Sequence, residues 1–85
     1  MEKIVKVSTG KEFTVKEIKY KEFIEHATQD KRQVALFLFK TSAGVTEEEF
    51  DSMSMKDGIS IQKAIDEVNG FTEAFQKPQP QEILQ

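Results

Sequence analysis

The chain has 85 residues, a net charge of −3 and no cysteine, which excludes a disulfide framework, a thiolate metal site and a Cys nucleophile. A chain this short makes one domain and buries only roughly 60% of the surface that its unfolded form exposes. Its longest apolar run, Val34 to Phe39, has six residues, far short of the ~20 that a membrane span needs.

Ile4-Val5-Lys6-Val7 and Phe13-Thr14-Val15 are β-prone runs separated by the polar turn Ser8-Thr9-Gly10-Lys11-Glu12, a pattern that predicts a hairpin. Alternation places Val5, Val7, Phe13 and Val15 on one apolar face, which has to pack on whatever follows. The alternation at Met1-Glu2-Lys3-Ile4-Val5-Lys6 is also unlike a secretory leader, which needs a continuous apolar stretch of about 7 to 15 residues. The cell interior is therefore the expected location.

Tyr20, Phe23, Ile24 and Ala27 recur at i, i+3, i+4 and i+7, predicting a first helix over Lys19 to Thr28 with that stripe inward. Val34 to Phe39 has no amphipathic period. The dozen residues between Asp30 and Thr41, with Lys40 near the end and Gly44 beyond it, favour a helix over a strand. A helix apolar on all sides is either the central core helix or lends one face to a partner.

The stretch from Thr41 to Asp57 then holds a helix stop and two starts. Gly44 ends one helix; Thr46 with Glu49 has capping-box spacing, and Ser54 with Asp57 imitates it. A short helix over Thr46 to Met53 offers Phe50 and Met53. A last helix carries Ile61, Ala64, Ile65 and Val68 as its stripe and stops at Asn69-Gly70, with its first turn expected to be irregular at Gly58. Phe71 and Phe75 follow, and residues 77–85, with Pro78 and Pro80, read as a flexible tail behind a single domain of residues 1–76. The fold class is thus α+β: mainly helical, three to four helices, with an N-terminal β-hairpin.

Residues 1–40 carry nine Lys or Arg against six acids, and residues 41–85 carry three against nine. Such a split either orients like subunits or a charged partner, or amounts to two solvated faces. Nucleic acid is disfavoured, because Lys31-Arg32 is the only dense cationic pair. Enzyme readings lack parts. His26 is the sole histidine, and with Glu22 four residues earlier it makes either a weak cation site or a surface pair. Glu47-Glu48-Glu49 with Asp51 lacks the alternating ligands and loop glycine of a calcium loop. The glycines at 10, 44, 58 and 70 are too scattered to cradle a phosphate. No catalytic, cofactor, metal or small-molecule site is expected. Phe37, Phe39, Phe71 and Phe75 are either partner anchors or core.

In succession these pieces resemble the tail assembly chaperones of long-tailed bacteriophages and prophages. The matching residues are Thr9-Gly10-Lys11-Glu12-Phe13, Tyr20-Lys21-Glu22-Phe23, Ser42-Ala43-Gly44-Val45-Thr46-Glu47-Glu48-Glu49-Phe50 and Met53-Ser54-Met55-Lys56-Asp57, followed by Ile61, Ala64, Ile65, Val68, Asn69 and Gly70. The likeness spans about residues 3–70 in order. It departs at Met53 and Met55, where Leu is expected, a swap that preserves volume. The resemblance implies a non-catalytic factor in the cytoplasm of the bacterial host that binds the tape measure protein, helps tail tube protein subunits assemble around it and is absent from the mature virion. The phenylalanines would touch the tape measure, and the hairpin or the charge split would support a homo-oligomer. Two rivals remain open: a minor structural tail protein, and a small transcription modulator suggested by the helix-turn-helix-like step around Ala43-Gly44-Val45.

Overall fold

The computed structural model describes residues 1–71. Phe75, the domain boundary at 76 and the tail from 77 lie outside the described residues. Strands β1 (Glu2–Lys6) and β2 (Glu12–Lys16) pair antiparallel, with Val5 opposite Phe13 and Lys3 opposite Val15. Gly10 N–H donates to the Val7 carbonyl and Val7 N–H to the Lys11 carbonyl, each at 2.9 Å. Gly10 sits at φ 94°, so the loop is a tight turn closed by a glycine bulge. Val7, Phe13 and Val15 are buried, Val5 is partly so, and Glu2, Ile4 and Lys6 face outward.

Four helices follow: α1 (Tyr20–His26), α2 (Lys31–Ala43), α3 (Glu47–Ser52) and α4 (Met55–Asn69). The α+β, mainly helical architecture is as the sequence predicts. Helix α2 is the central element, touching α1, α3, α4 and β2. Such a setting is what an all-round apolar segment requires. Asp30 starts it by accepting from Gln33 N–H at 2.9 Å. Gly44, at φ 71°, ends it and lets Val45 N–H reach the Phe39 carbonyl at 3.0 Å. That left-handed turn suits glycine. Thr46 and Glu49 form the full reciprocal box at 3.0 and 3.1 Å.

Helix α4 lies against the hairpin and α2. Its stripe of Ile61, Ala64, Ile65 and Val68 is wholly buried, each large aliphatic contributing about 1.5–3 kcal/mol by leaving water. Gly58 does not disturb it. The helix is continuous from Met55, and Gly58 N–H closes the first turn onto the Ser54 carbonyl at 2.9 Å.

Two expectations need correcting here. Helix α1 is shorter than Lys19 to Thr28, and only Phe23 of its stripe packs inward, while Tyr20, Ile24 and Ala27 are exposed. Asp57 does more than imitate a box. Its N–H donates to Ser54 Oγ at 3.2 Å, but its carboxylate turns to the hairpin, accepting Ser8 N–H at 3.0 Å and Ser8 Oγ at 2.6 Å. Three of the nine basic residues of the first half pair with acids of the second on the surface: Lys3 with Glu67, Lys11 with Glu49, and Arg32 with Asp51 at 2.6 Å and Glu47 at 3.5 Å.

A second polar junction secures the other end of α4. Asn69 Oδ1 accepts Ile18 N–H at 2.8 Å, while Asn69 Nδ2 donates to Ser42 Oγ at 3.3 Å and to the Ile65 carbonyl at 3.0 Å. Ser42 Oγ in turn donates to the Lys16 carbonyl at 2.6 Å. Both ends of α4 are therefore tied to the hairpin or its exit, one through Asp57 and the other through Asn69 and Ser42.

Candidate functional site

Two residues of separation on a helix turn side chains to nearly opposite sides, and Phe37 and Phe39 diverge accordingly. Phe37 leans toward α1, where its ring stacks on His26 with centroids 3.9 Å apart and planes 11° from parallel. The His26 ring nitrogen Nδ1, in the tautomer that carries its proton there, donates to the Glu22 carbonyl at 3.0 Å. Lys19 N–H donates to the Glu22 carboxylate at 3.3 Å, so Glu22 and His26 do not face each other as cation ligands. The cleft around Phe37 is rimmed by Gln29, Gln33, Lys40 and Thr41. It is a polar cleft with one aromatic wall.

Phe39 points the other way and is buried, at 5% exposure. Its ring meets Phe50 of α3 edge-on, centroids 5.1 Å apart at 82°, the geometry that aromatic quadrupoles favour. Above these rings runs a groove of about 350 Å³ between α2, α3 and α4, walled by Ala35, Met53, Met55 and Ile59. Met55 is 79% exposed and Ile59 57%. The Arg32 guanidinium lies 5.9 Å from the Phe50 ring centre. Hydrogen bonding to Asp51, together with that residue's charge, raises its already high pKa and keeps it cationic.

Phe71, just beyond α4, stands 5.3 Å from Phe23, ring to ring. It is half-buried against α1. Phe37 and Phe71 thus both meet α1, Phe39 floors the groove on the other flank, and Phe75 lies outside the described residues. The three described phenylalanines of the four expected to act together are divided between two flanks of the fold. The capping residues Gly44, Thr46, Glu49 and Ser54 shape the groove by setting where α3 and α4 begin. Glu49, bonded to Lys11 and to the Thr46 backbone, has its pKa held below the usual carboxylate range.

Sequence reasoning passed over Ile59 and read Met55 only as a replacement for Leu. The signal was there: both are large apolar residues on α4 outside its buried stripe. Among the described residues no three or more His, Asp or Glu side chains gather as a metal site, and no helix is long and apolar enough to cross a membrane. What the groove offers is non-covalent binding: apolar contact with adaptable thioethers at its lip. The chain matches no protein-family model, no curated protein and no solved structure.

Proposed function

We propose that the protein is a phage or prophage tail assembly chaperone, a non-catalytic factor that binds the tape measure protein in the host cytoplasm and assists tail tube assembly without remaining in the mature virion. The observation that carries this reading is the open apolar groove over Phe39 and Phe50, with Met55 and Ile59 exposed at its lip. A tape measure is a long helical protein, and one apolar helix face is what a groove between three helices accepts. Methionine at the lip suits a client with many similar segments, because its flexible thioether repacks against differing side chains. The succession of caps and stripes over residues 3–70 supports the same reading.

The test is co-expression with the tape measure protein encoded beside it, followed by light scattering on a sizing column. A soluble joint peak is expected, with the tape measure insoluble when made alone. Converting both Met55 and Ile59 to Glu leaves the helical circular dichroism intact, since both side chains are exposed, and abolishes the joint peak. Undiminished capture by that double variant would remove the groove from the proposal.

A further inference from the structure

Among the described residues no backbone or side-chain hydrogen bond reaches the outer edge of β1. Val7 N–H bonds inward to Lys11, and alternation along an antiparallel pair then makes Val5 with Phe13 and Lys3 with Val15 the inward-bonded pairs. The backbone groups of Glu2, Ile4 and Lys6 therefore point away from β2. The same alternation turns the Lys16 carbonyl away from β1, where it receives Ser42 Oγ. Beside the free edge of β1 a trough of about 400 Å³ separates the strand from Ser60, Lys63, Ala64 and Glu67 of α4. Ile4 stands on the outer face at 65% exposure.

We propose that this edge pairs with a second copy of itself, β1 against β1 across a two-fold axis at Ile4, joining two hairpins into one four-stranded antiparallel sheet. Only registers that place even-numbered residues opposite one another bring the outward backbone groups together. Of these, the register centred on Ile4 sets Ile4 against Ile4 and Glu2 against Lys6 of the other copy, twice over by symmetry. Shifting the centre to residue 3 puts Lys3 opposite Lys3, and shifting it to residue 5 puts Lys6 opposite Ile4. Lys6, a lysine of the kind that commonly guards an open strand edge, thus meets an acid in a single register, while Lys3 stands opposite Val5 there and keeps Glu67 of its own chain as partner. That register also covers the exposed isoleucine, and its interface is self-complementary, as a two-fold dimer requires. Small side chains at Ser60 and Ala64, where the trough meets α4, leave room for the second strand.

The proposal stands apart from the groove, which lies on the opposite flank of α4. It is tested by sedimentation equilibrium of the full chain across a concentration series. A monomer–dimer equilibrium is expected. Glu2→Lys or Lys6→Glu alone turns two attractive pairs into two repulsive ones and weakens dimerisation at least about tenfold. The combined Glu2→Lys/Lys6→Glu variant restores it, because the pairs re-form with their signs exchanged. All three variants alter exposed side chains, and because Glu2 also faces Lys16 and Lys6 faces Glu12 within the hairpin, circular dichroism and the melting temperature check that each variant keeps the monomer fold. A chain monomeric at every concentration, or a dimer indifferent to the single reversals, overturns the proposal. So does a double variant as weak as the single ones.

Discussion

Helices α1 and α4 carry the same apolar spacing, i, i+3, i+4 and i+7, in different surroundings. In α4 the residues at those positions, Ile61, Ala64, Ile65 and Val68, are at most 5% exposed, whereas in α1 Tyr20 is 78% and Ile24 46% exposed. The spacing makes a face in both cases, but a face is buried only if another layer lies over it. Helix α4 has the hairpin and α2 on that side and is tied at both ends by polar junctions. Helix α1 has seven residues and packs chiefly on α2, which two turns can meet with little more than Phe23. The contrast separates local pattern from tertiary cover, and mutation can measure each.

The largest effect falls at the centre of α4. Ile65 is fully buried, so Ile65→Ala removes transfer energy and leaves a cavity, with a loss of about 2–5 kcal/mol in chemical denaturation. For a domain with a small core this is a large share of total stability. A loss below about 1 kcal/mol would mean that the α4 stripe is not the keel of the fold.

Next come the junctions that hold α4 in place. Ser42 is 1% exposed and bonds the Lys16 carbonyl, and Ser42→Ala leaves that carbonyl without its partner, at a cost of about 1–3 kcal/mol. At the other junction the sign follows from the direction of the pKa shift. The two hydrogen bonds from Ser8 hold the Asp57 pKa below the ordinary carboxylate value. Its stabilising contribution is therefore present above the unfolded value of about 4 and is lost as pH falls through the lower folded value. The melting temperature of Asp57→Asn should lie below that of the unaltered chain at pH 7, and the two should converge toward pH 2. Glu49 and Glu67 are shifted in the same direction by Lys11 and Lys3, but they titrate in both proteins and cancel from the difference. A gap constant with pH would assign Asp57 a role in which its charge plays no part.

Much of this was legible in the chain. The hairpin face, the helical state of Val34 to Phe39, the stop at Gly44 and the box of Thr46 and Glu49 all follow from local chemistry, and all are found. The junctions were not legible, because Ser8 and Asp57 are 49 residues apart and Ile18 and Asn69 are 51 apart. A serine in a turn and an asparagine before a glycine satisfy local rules that conceal their distant partners. The candidate site was half legible. Phe39 is named in the sequence as partner anchor or core, and only packing shows it buried as the floor of a groove with Met55 and Ile59 exposed at the lip.

The smallest effect is expected on α1, and it is the one that tests the comparison most directly. Ile24 lies one turn beyond Tyr20 on the outward side of the helix. Ile24→Ser removes an apolar side chain already about half in water, and serine costs a helix a few tenths of a kcal/mol. The expected change in stability is within about 0.5 kcal/mol, smaller than for Ile65→Ala although the two isoleucines occupy the same i+4 position in matching stripes. A loss approaching that of Ile65→Ala would show that the outer face of α1 is covered in solution by something beyond residues 1–71. If that loss appears only at high protein concentration the cover is a second copy; if it is independent of concentration, the cover belongs to the same chain.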